Sequence, residues 1–267
     1  MEITFYKYQG TANDFVMIDN RNMHFDTSNS QQVAFLCERR LGIGADGLIL
    51  LQNREGYDFE MVYFNANGQL GSMCGNGGRC TVAFAKQLGV ITDHAFFLAA
   101  DGDHEASITP DGLVSLKMSD VTAIECAPDF YYLNTGSPHY VAFVNELSAY
   151  NVFEKGQAIR YNNRFKEAGT NVNFAQLPAF QDVSQNALFV RTYERGVEDE
   201  TYSCGTGVTA TAIAASFQGL ESPVKIKTLG GNLEVTFNRQ GEHVTNIYLT
   251  GPAQFVFEGK INLIPGR

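Results

Sequence analysis

No stretch of the 267 residues approaches the apolar length that a membrane-spanning helix needs, which argues against a helical membrane protein. The opening Met1-Glu2-Ile3-Thr4-Phe5-Tyr6-Lys7 lacks the basic start, long apolar core and small-residue cleavage site of an export signal. It reads as a strand, and the chain is expected in the cytoplasm. Of the five cysteines, Cys37, Cys74, Cys80, Cys126 and Cys204, no two form a Cys-x-x-Cys pair. An odd count without an export signal predicts free thiols rather than a disulfide framework. The missing pair also weighs against a thiol-disulfide oxidoreductase. The five histidines are scattered, so no metal site is expected. Positive charge is in deficit, with 19 Lys and Arg against 29 Asp and Glu and a formal charge of -10. Nucleic acid and anionic membranes would repel such a chain and are not expected as partners. No Pro- or Gly-rich linker and no low-complexity tract interrupts it.

What is present is the composition of a globular protein, 44% hydrophobic and 18% charged. The length suits one large domain or two ordinary ones. An ordered internal repeat favours two. Gly10-Thr11-Ala12-Asn13-Asp14-Phe15-Val16 precedes Thr135-Gly136-Ser137-Pro138-His139-Tyr140-Val141, and Gly44-Ala45-Asp46 precedes Gly169-Thr170-Asn171, at one common offset. Tyr63 and Tyr193 stand equally far before Cys74 and Cys204, and residues 94–118 resemble 224–249. Turns are expected at Thr109-Pro110-Asp111-Gly112 and at Asn238-Arg239-Gln240-Gly241. Alternation predicts strands at Val114 to Met118 and Asn232 to Phe237, and the apolar run Gly47 to Leu51 predicts a strand covered on both faces. Helices are expected at Ser30 to Leu41, Gly75 to Leu88 and Gly205 to Gln218, the last two apolar almost all round and therefore buried.

The two halves carry one chemical phrase each: Cys74-Gly75-Asn76-Gly77-Gly78-Arg79 and Cys204-Gly205-Thr206-Gly207-Val208-Thr209, each opening a small-residue helix. Backbone N–H groups at a helix start lack intrahelical acceptors and carry partial positive charge. A thiolate is stabilised there, and its pKa can fall below the free value of about 8.5. Glycines let the backbone approach an anion such as a carboxylate. One turn therefore supplies a base and a carboxylate clamp. Two such turns would hold an α-carboxylate with its α-carbon between two sulfurs, one removing a proton while the other returns one. No cofactor is required, and none is expected.

The whole chain resembles the diaminopimelate epimerases. The resemblance rests on Asn13-Asp14-Phe15, Gly42-Ile43-Gly44-Ala45-Asp46-Gly47, Phe64-Asn65-Ala66-Asn67-Gly68 and the Cys74 to Cys80 phrase, continuing through Asn171-Val172, Tyr193-Glu194-Arg195-Gly196-Val197 and Cys204 to Gly207. It implies a pyridoxal-independent enzyme interconverting L,L- and meso-diaminopimelate in lysine and peptidoglycan precursor synthesis, as a homodimer. It implies Cys74 and Cys204 as the acid/base pair, and Gly75, Asn76, Gly205 and Thr206 as the α-carboxylate clamp. Asn13, Asn65, Asn171 and Arg195 are implied as further substrate ligands, Arg195 on the distal carboxylate. Glu194 is implied at an ammonium group and, with His139, in tuning the thiols. One departure is Ser137, where the family's phrase before this histidine has asparagine.

The expected architecture is α/β of the α+β type. Two pseudo-symmetric domains would each wrap a curved, mainly antiparallel sheet around a central helix, with the active site in the cleft between them. The expected boundaries are 1–118 plus about 254–267 for the first half and 119–253 for the second, the strand near Phe255 to Ile261 returning to the first. Cys37 and Cys126 read as buried small hydrophobes, Cys80 as core packing, and Arg79 as a structural residue near a helix surface. A racemase for proline or hydroxyproline, or a non-catalytic amino-acid-binding protein, are the rival readings. Arg195, Asn65 and Asn171 speak against the first, and the matched thiols against the second.

Overall fold

The computed structural model describes residues 2–178 and 187–263. The chain forms two compact units, one made of Met1–Leu116 with Gly251–Arg267, the other of Lys117–Thr250. Residues 264–267, which the expected first half includes, lie outside the described residues.

In the first unit, strand β1 (Glu2–Gly10) turns directly into β2 (Asn13–Asp19). Helix α1 (Ser30–Cys37), β3 (Gly47–Gln52), β4 (Phe59–Asn65) and helix α2 (Gly75–Gln87) follow. Strands β5 (His94–Ala99), β6 (Gly102–Ile108) and β7 (Val114–Lys117) come next. The second unit holds β8 (Ile124–Cys126), β9 (Tyr131–Asn134), β10 (Pro138–Phe143), helix α3 (Val152–Arg160), β11 (Asn171–Gln176) and β12 (Leu188–Glu194). It continues with β13 (Asp199–Thr201), helix α4 (Gly205–Ser216), β14 (Val224–Thr228), β15 (Gly231–Gln240) and β16 (His243–Gly251). Strand β17 (Gln254–Asn262) then pairs antiparallel with β1, which makes it part of the first unit's sheet.

The repeat read from the sequence is a repeat of topology. In the first unit the neighbours run β17-β1-β2-β3-β4-β5-β6-β7, in which only β2–β3 and β4–β5 are parallel. In the second they run β8-β9-β10-β11-β12-β14-β15-β16, in which only β10–β11 and β12–β14 are parallel. The two parallel pairs occupy the same places in each series. A parallel neighbour requires a crossover, and the crossovers carry helices. Thus α1 and α3 precede the inner strands β3 and β11, while α2 and α4 lead into β5 and β14.

Each sheet curls around its second helix. Helix α2 packs on β1, β2, β3 and β4, and also on β6 and β17 from opposite ends of the sheet. Helix α4 packs likewise on β9, β10, β11, β12, β14 and β15. A helix enclosed this way has no solvated stripe, and Val208, Ala210, Ala212, Ile213, Ala214 and Ala215 are all fully buried. The buried hydroxyls of Thr209 and Thr211 donate back to the carbonyls of Gly205 and Gly207 at 3.0 and 2.7 Å, so no polar atom is stranded. Between α1 and α2, all six residues of β3 are buried, which accounts for its unbroken apolar run.

Three expectations need correction. Helix α1 stops at Cys37, not Leu41: Glu38 turns extended, and Ile43 and Gly44 both donate to the Leu36 carbonyl, folding the chain back. A side chain at Gly42 would lie 1.9 Å from the Phe35 carbonyl oxygen. Strand β15 runs through the expected turn to Gln240, so the reversal sits at Gly241-Glu242. Cys126 is exposed, because only Ile124 of edge strand β8 faces inward.

The β1–β2 connection is the strained point of the fold. Thr11 and Ala12 form a two-residue turn with φ values of 52° and 62°, in the left-handed region that a two-residue hairpin demands and glycine or asparagine usually fills. For other residues this conformation costs roughly 1–2 kcal/mol each. The exposed Ala12→Gly variant is therefore expected to gain about 0.5–1 kcal/mol in denaturant unfolding, net of the unfolded-state entropy that glycine adds; a loss of stability would contradict a left-handed Ala12.

Candidate active site

Helices α2 and α4 begin in the same way. Their N-cap residues, Cys74 (φ -113°, ψ 117°) and Cys204 (φ -113°, ψ 110°), are near-identical in backbone, and neither side chain caps its helix. Their carbonyls accept the first helical bonds from Gly78 at 2.7 Å and Val208 at 2.8 Å. The other two helices differ: Asn29 caps α1 and Asn151 caps α3 through their side-chain oxygens. At α2 and α4 the first-turn N–H groups of Gly75, Asn76 and Gly77, and of Gly205, Thr206 and Gly207, are thus left to an external acceptor such as a carboxylate. Close packing behind the turn requires glycine, since a Cβ at Gly207 would lie 2.3 Å from Asn173 Oδ1.

In the first unit Cys74 is half-buried, and its Sγ lies 3.6 Å from Asn13 Oδ1. That oxygen also accepts from Asn76 Nδ2 at 3.2 Å. The amide orientations follow from the two ends of the chain of contacts. At one end Arg79, which only donates, gives Nη2 to Asn76 Oδ1 at 3.0 Å. At the other, Asp46 only accepts, taking Asn13 Nδ2 at 2.7 Å. Asp46 is in turn paired with Arg39 at 2.8 Å, and Arg39 and Lys7 both grip Asp14. Burial opposes ionisation of Asp14, but the bonds from Arg39 and Lys7 outweigh it and lower its pKa to about 2. The strained turn places Thr11 where its hydroxyl accepts from Arg79 Nη2 at 3.3 Å.

Arg79 is not near a helix surface, as expected from the sequence, but completely buried. Its remaining bonds go to the carbonyls of Gly75 and Pro252, both at 3.4 Å. Among the described residues no carboxylate pairs with it. Its interior position rests instead on neutral acceptors, with the sulfurs of Cys80 and Cys74 as the groups nearby that can carry negative charge.

The second unit orders its polar groups around His139, which is fully buried in β10. Asn173 gives Nδ2 both to the Tyr140 carbonyl at 3.0 Å and to His139 Nδ1 at 3.1 Å, while its Oδ1 accepts from Thr192 at 2.9 Å. Nδ1 is therefore an acceptor, and the proton of the neutral imidazole sits on Nε2. Burial first, and the charge of Arg195 second, lower the pKa of His139 to about 3. Nε2 meets Ser137 Oγ at 2.9 Å, Ser137 Oγ meets Thr206 Oγ1 at 3.2 Å, and Thr206 Oγ1 meets Cys204 Sγ at 3.5 Å. Asn171 joins by giving Nδ2 to Ser137 Oγ at 3.1 Å, its Oδ1 being held by the backbone N–H of Arg195 at 2.9 Å.

Of the residues expected from sequence, Cys74, Gly75, Asn76 and Asn13 gather in the first unit, and His139, Asn171, Gly205, Thr206 and Cys204 in the second. Asn65 ends β4 exposed, and among the described residues its side chain makes no hydrogen bond. Glu194 accepts from the Thr201 hydroxyl at 2.8 Å. Arg195 is exposed, its guanidinium bonded to the Ala168 carbonyl at 3.1 Å and to no carboxylate among the described residues. The nearby Glu198 is paired with Arg160 instead, at 3.2 Å. Burial pushes the thiols of Cys37 and Cys80 up to about 12, which suits inert core residues. Thr11, Asp46, Thr192 and Asn173 were not anticipated. Asn173 carried a signal, since it shares a strand face with Asn171 in a segment otherwise apolar enough to be buried. Among the described residues no group of three or more His, Cys, Asp or Glu could hold a metal ion. No helix among them is long and apolar enough to cross a membrane.

Comparison with known proteins adds a name to this arrangement. The family model for diaminopimelate epimerase matches residues 5–124 and 131–256. The diaminopimelate epimerase of Flavobacterium psychrophilum is 50% identical over 258 residues, covering 96% of this chain and 99% of that protein. That of Chlorobaculum tepidum is 43% identical over 264 residues, covering 95% and 99%. Among solved structures, a phenazine biosynthesis protein of the PhzF family from Bacillus anthracis is similar with a TM-score of 0.76 at 12% identity, covering 98% of this chain and 100% of that one. A probable proline racemase from Agrobacterium radiobacter gives 0.68 at 13% identity, covering 99% and 94%. These two likenesses show a shared α+β fold. With a model match running from residue 5 to residue 256 and relatives this similar along their full length, the chain belongs to the diaminopimelate epimerase family.

Proposed function

We propose that the protein interconverts L,L- and meso-2,6-diaminopimelate by two-base proton transfer at one α-carbon, an isomerase step in lysine and peptidoglycan precursor synthesis. The reading is carried by one observation: two uncapped helix starts of equal backbone geometry, each headed by a cysteine, in a chain of the diaminopimelate epimerase family. In this reading the α-carboxylate binds the first-turn N–H groups of Gly75, Asn76, Gly205 and Thr206. One sulfur, as thiolate, takes the α-proton, and the electron pair of the broken C–H bond delocalises into the carboxylate. Those N–H groups stabilise the developing charge. The other sulfur, as thiol, delivers its proton to the opposite face, so the sulfurs exchange roles and nothing is oxidised or reduced. Helix-start fields keep both thiol pKa values near the working range, where acid/base catalysis is most efficient.

Asn13, Asn65 and Asn171 are assigned to the substrate's polar groups, Glu194 to its ammonium and Arg195 to its distal carboxylate. The exposed guanidinium of Arg195, not engaged by any carboxylate among the described residues, supports the last assignment. A homodimer belongs to the same reading. Phe255, Val256 and Phe257 on β17 are 46%, 52% and 45% exposed, an apolar stretch that a second copy would cover. Placement in the cytoplasm agrees with the free thiols.

Cys74→Ser and Cys204→Ser are each expected to lower epimerisation by at least about 10²–10⁴-fold under reducing conditions, the usual contribution of a positioned acid or base; near-normal turnover in either sinks the two-base scheme. Arg195→Met should reduce kcat/KM for diaminopimelate by about 10²-fold, the loss of a charged hydrogen-bond pair. An unchanged value would move the substrate to a monocarboxylate such as proline. Mild oxidation should inactivate the protein by joining Cys74 to Cys204, and peptide mapping that finds both thiols free in inactivated material would rule this out.

A further inference from the structure

The hydrogen bonds around Cys204 have a direction, and Ser137 determines it. A serine hydroxyl has one proton and two lone pairs. Both lone pairs of Ser137 are taken, by the Nε2 proton of His139 at 2.9 Å and by Asn171 Nδ2 at 3.1 Å. Each of these donors is anchored by main-chain groups. The Tyr140 carbonyl fixes Asn173, which makes His139 Nδ1 the acceptor, and the Arg195 N–H fixes Asn171. The Ser137 proton is left for Thr206 Oγ1 at 3.2 Å, and the Thr206 proton for Cys204 Sγ at 3.5 Å. Every bond from Asn173 to the sulfur points the same way.

At Cys74 the direction is reversed. There the atom facing the sulfur is Asn13 Oδ1, which only accepts, and Asn76 and Asp46 hold it so. A thiol can donate to that oxygen, and a thiolate cannot. The charged groups around the two sites are Arg195 facing His139 and Glu194 held by Thr201 in the second unit, and Arg79, Asp14, Asp46, Lys7 and Arg39 in the first. Arg79 eases ionisation of Cys74 through space, but its donors go to Asn76, Thr11, Gly75 and Pro252 rather than to the sulfur.

We infer that Ser137 is a positioning residue that turns the Thr206 hydroxyl onto Cys204, so that in the ligand-free protein Cys204 carries the negative charge and Cys74 the proton. The assignment rests on the reading of the two cysteines as one acid/base pair. It also explains how serine serves where the family's phrase has asparagine: its hydroxyl is spent on relaying a hydrogen bond, not on the substrate.

The test is trace labelling of the reduced, ligand-free protein with iodoacetamide at neutral pH, followed by unfolding, a heavy label for the remaining thiols, and mass spectrometry of the Cys74 and Cys204 peptides. Cys204 is expected to label about tenfold faster than Cys74, although its side chain is the more buried of the two. Ser137→Ala should lower the Cys204 rate about tenfold, the fold-change of one charge-assisted hydrogen bond, and leave the Cys74 rate within about twofold. Ser137→Thr, which keeps the hydroxyl, should restore the Cys204 rate. Labelling of Cys74 first in the unmodified protein, or a folded Ser137→Ala whose Cys204 rate is unchanged, overturns the inference. Because labelling requires no turnover, the functional reading is checked separately by α-proton exchange on diaminopimelate. Exchange together with Cys74-first labelling overturns this assignment alone, whereas Cys204-first labelling without exchange supports it and overturns the substrate.

Discussion

The fold turns on two helix starts that are left uncapped. An N-cap asparagine is worth about 1 kcal/mol to a helix, and the chain uses one at α1 and at α3, the helices that carry no candidate chemistry. At α2 and α4 the same position is given to a cysteine whose sulfur makes no capping bond. Leaving those N–H groups to a ligand destabilises each helix locally. The rest of each unit offsets this by enclosing the helix in its sheet, so that the turns stay in place when empty. The residues that follow must then be small and apolar, and any hydroxyl among them must bond its own helix, as Thr209 and Thr211 do.

Around that common core the halves have diverged in polar detail. Topology is shared down to the positions of the parallel strand pairs, yet the groups beside the two sulfurs are of different kinds. The first unit uses amides braced between a buried arginine and an acidic pair, reached through a strained two-residue turn. The second uses a neutral histidine and two hydroxyls braced by main-chain atoms. An epimerase has a substrate with two unlike hydrogens to exchange on one carbon, and unlike surroundings for its two bases suit that task.

Much of this was legible in the sequence because the informative features are local. The Cys-Gly turns, the apolar run of β3 and the wholly apolar α4 each follow from residues within one element. What escaped depends on partners distant in the chain. Arg79 looks like a surface residue until Thr11, Asn76 and Pro252 are brought to it, and Leu41 looks like the end of a helical stripe until the loop folds back on Leu36. Cys126 could not be placed because burial on a short edge strand depends on which face the sheet covers. Ser137 was visible only as a departure from a family phrase, since a hydroxyl's role depends on which neighbours fill its lone pairs.

The central claim is proton exchange at an α-carbon of diaminopimelate without a cofactor. Proton NMR of L,L-diaminopimelate incubated in D₂O with the reduced protein tests it most directly. The account predicts loss of the α-proton signal together with the appearance of the meso isomer. A folded protein with both thiols reduced that leaves the α-proton in place would contradict it.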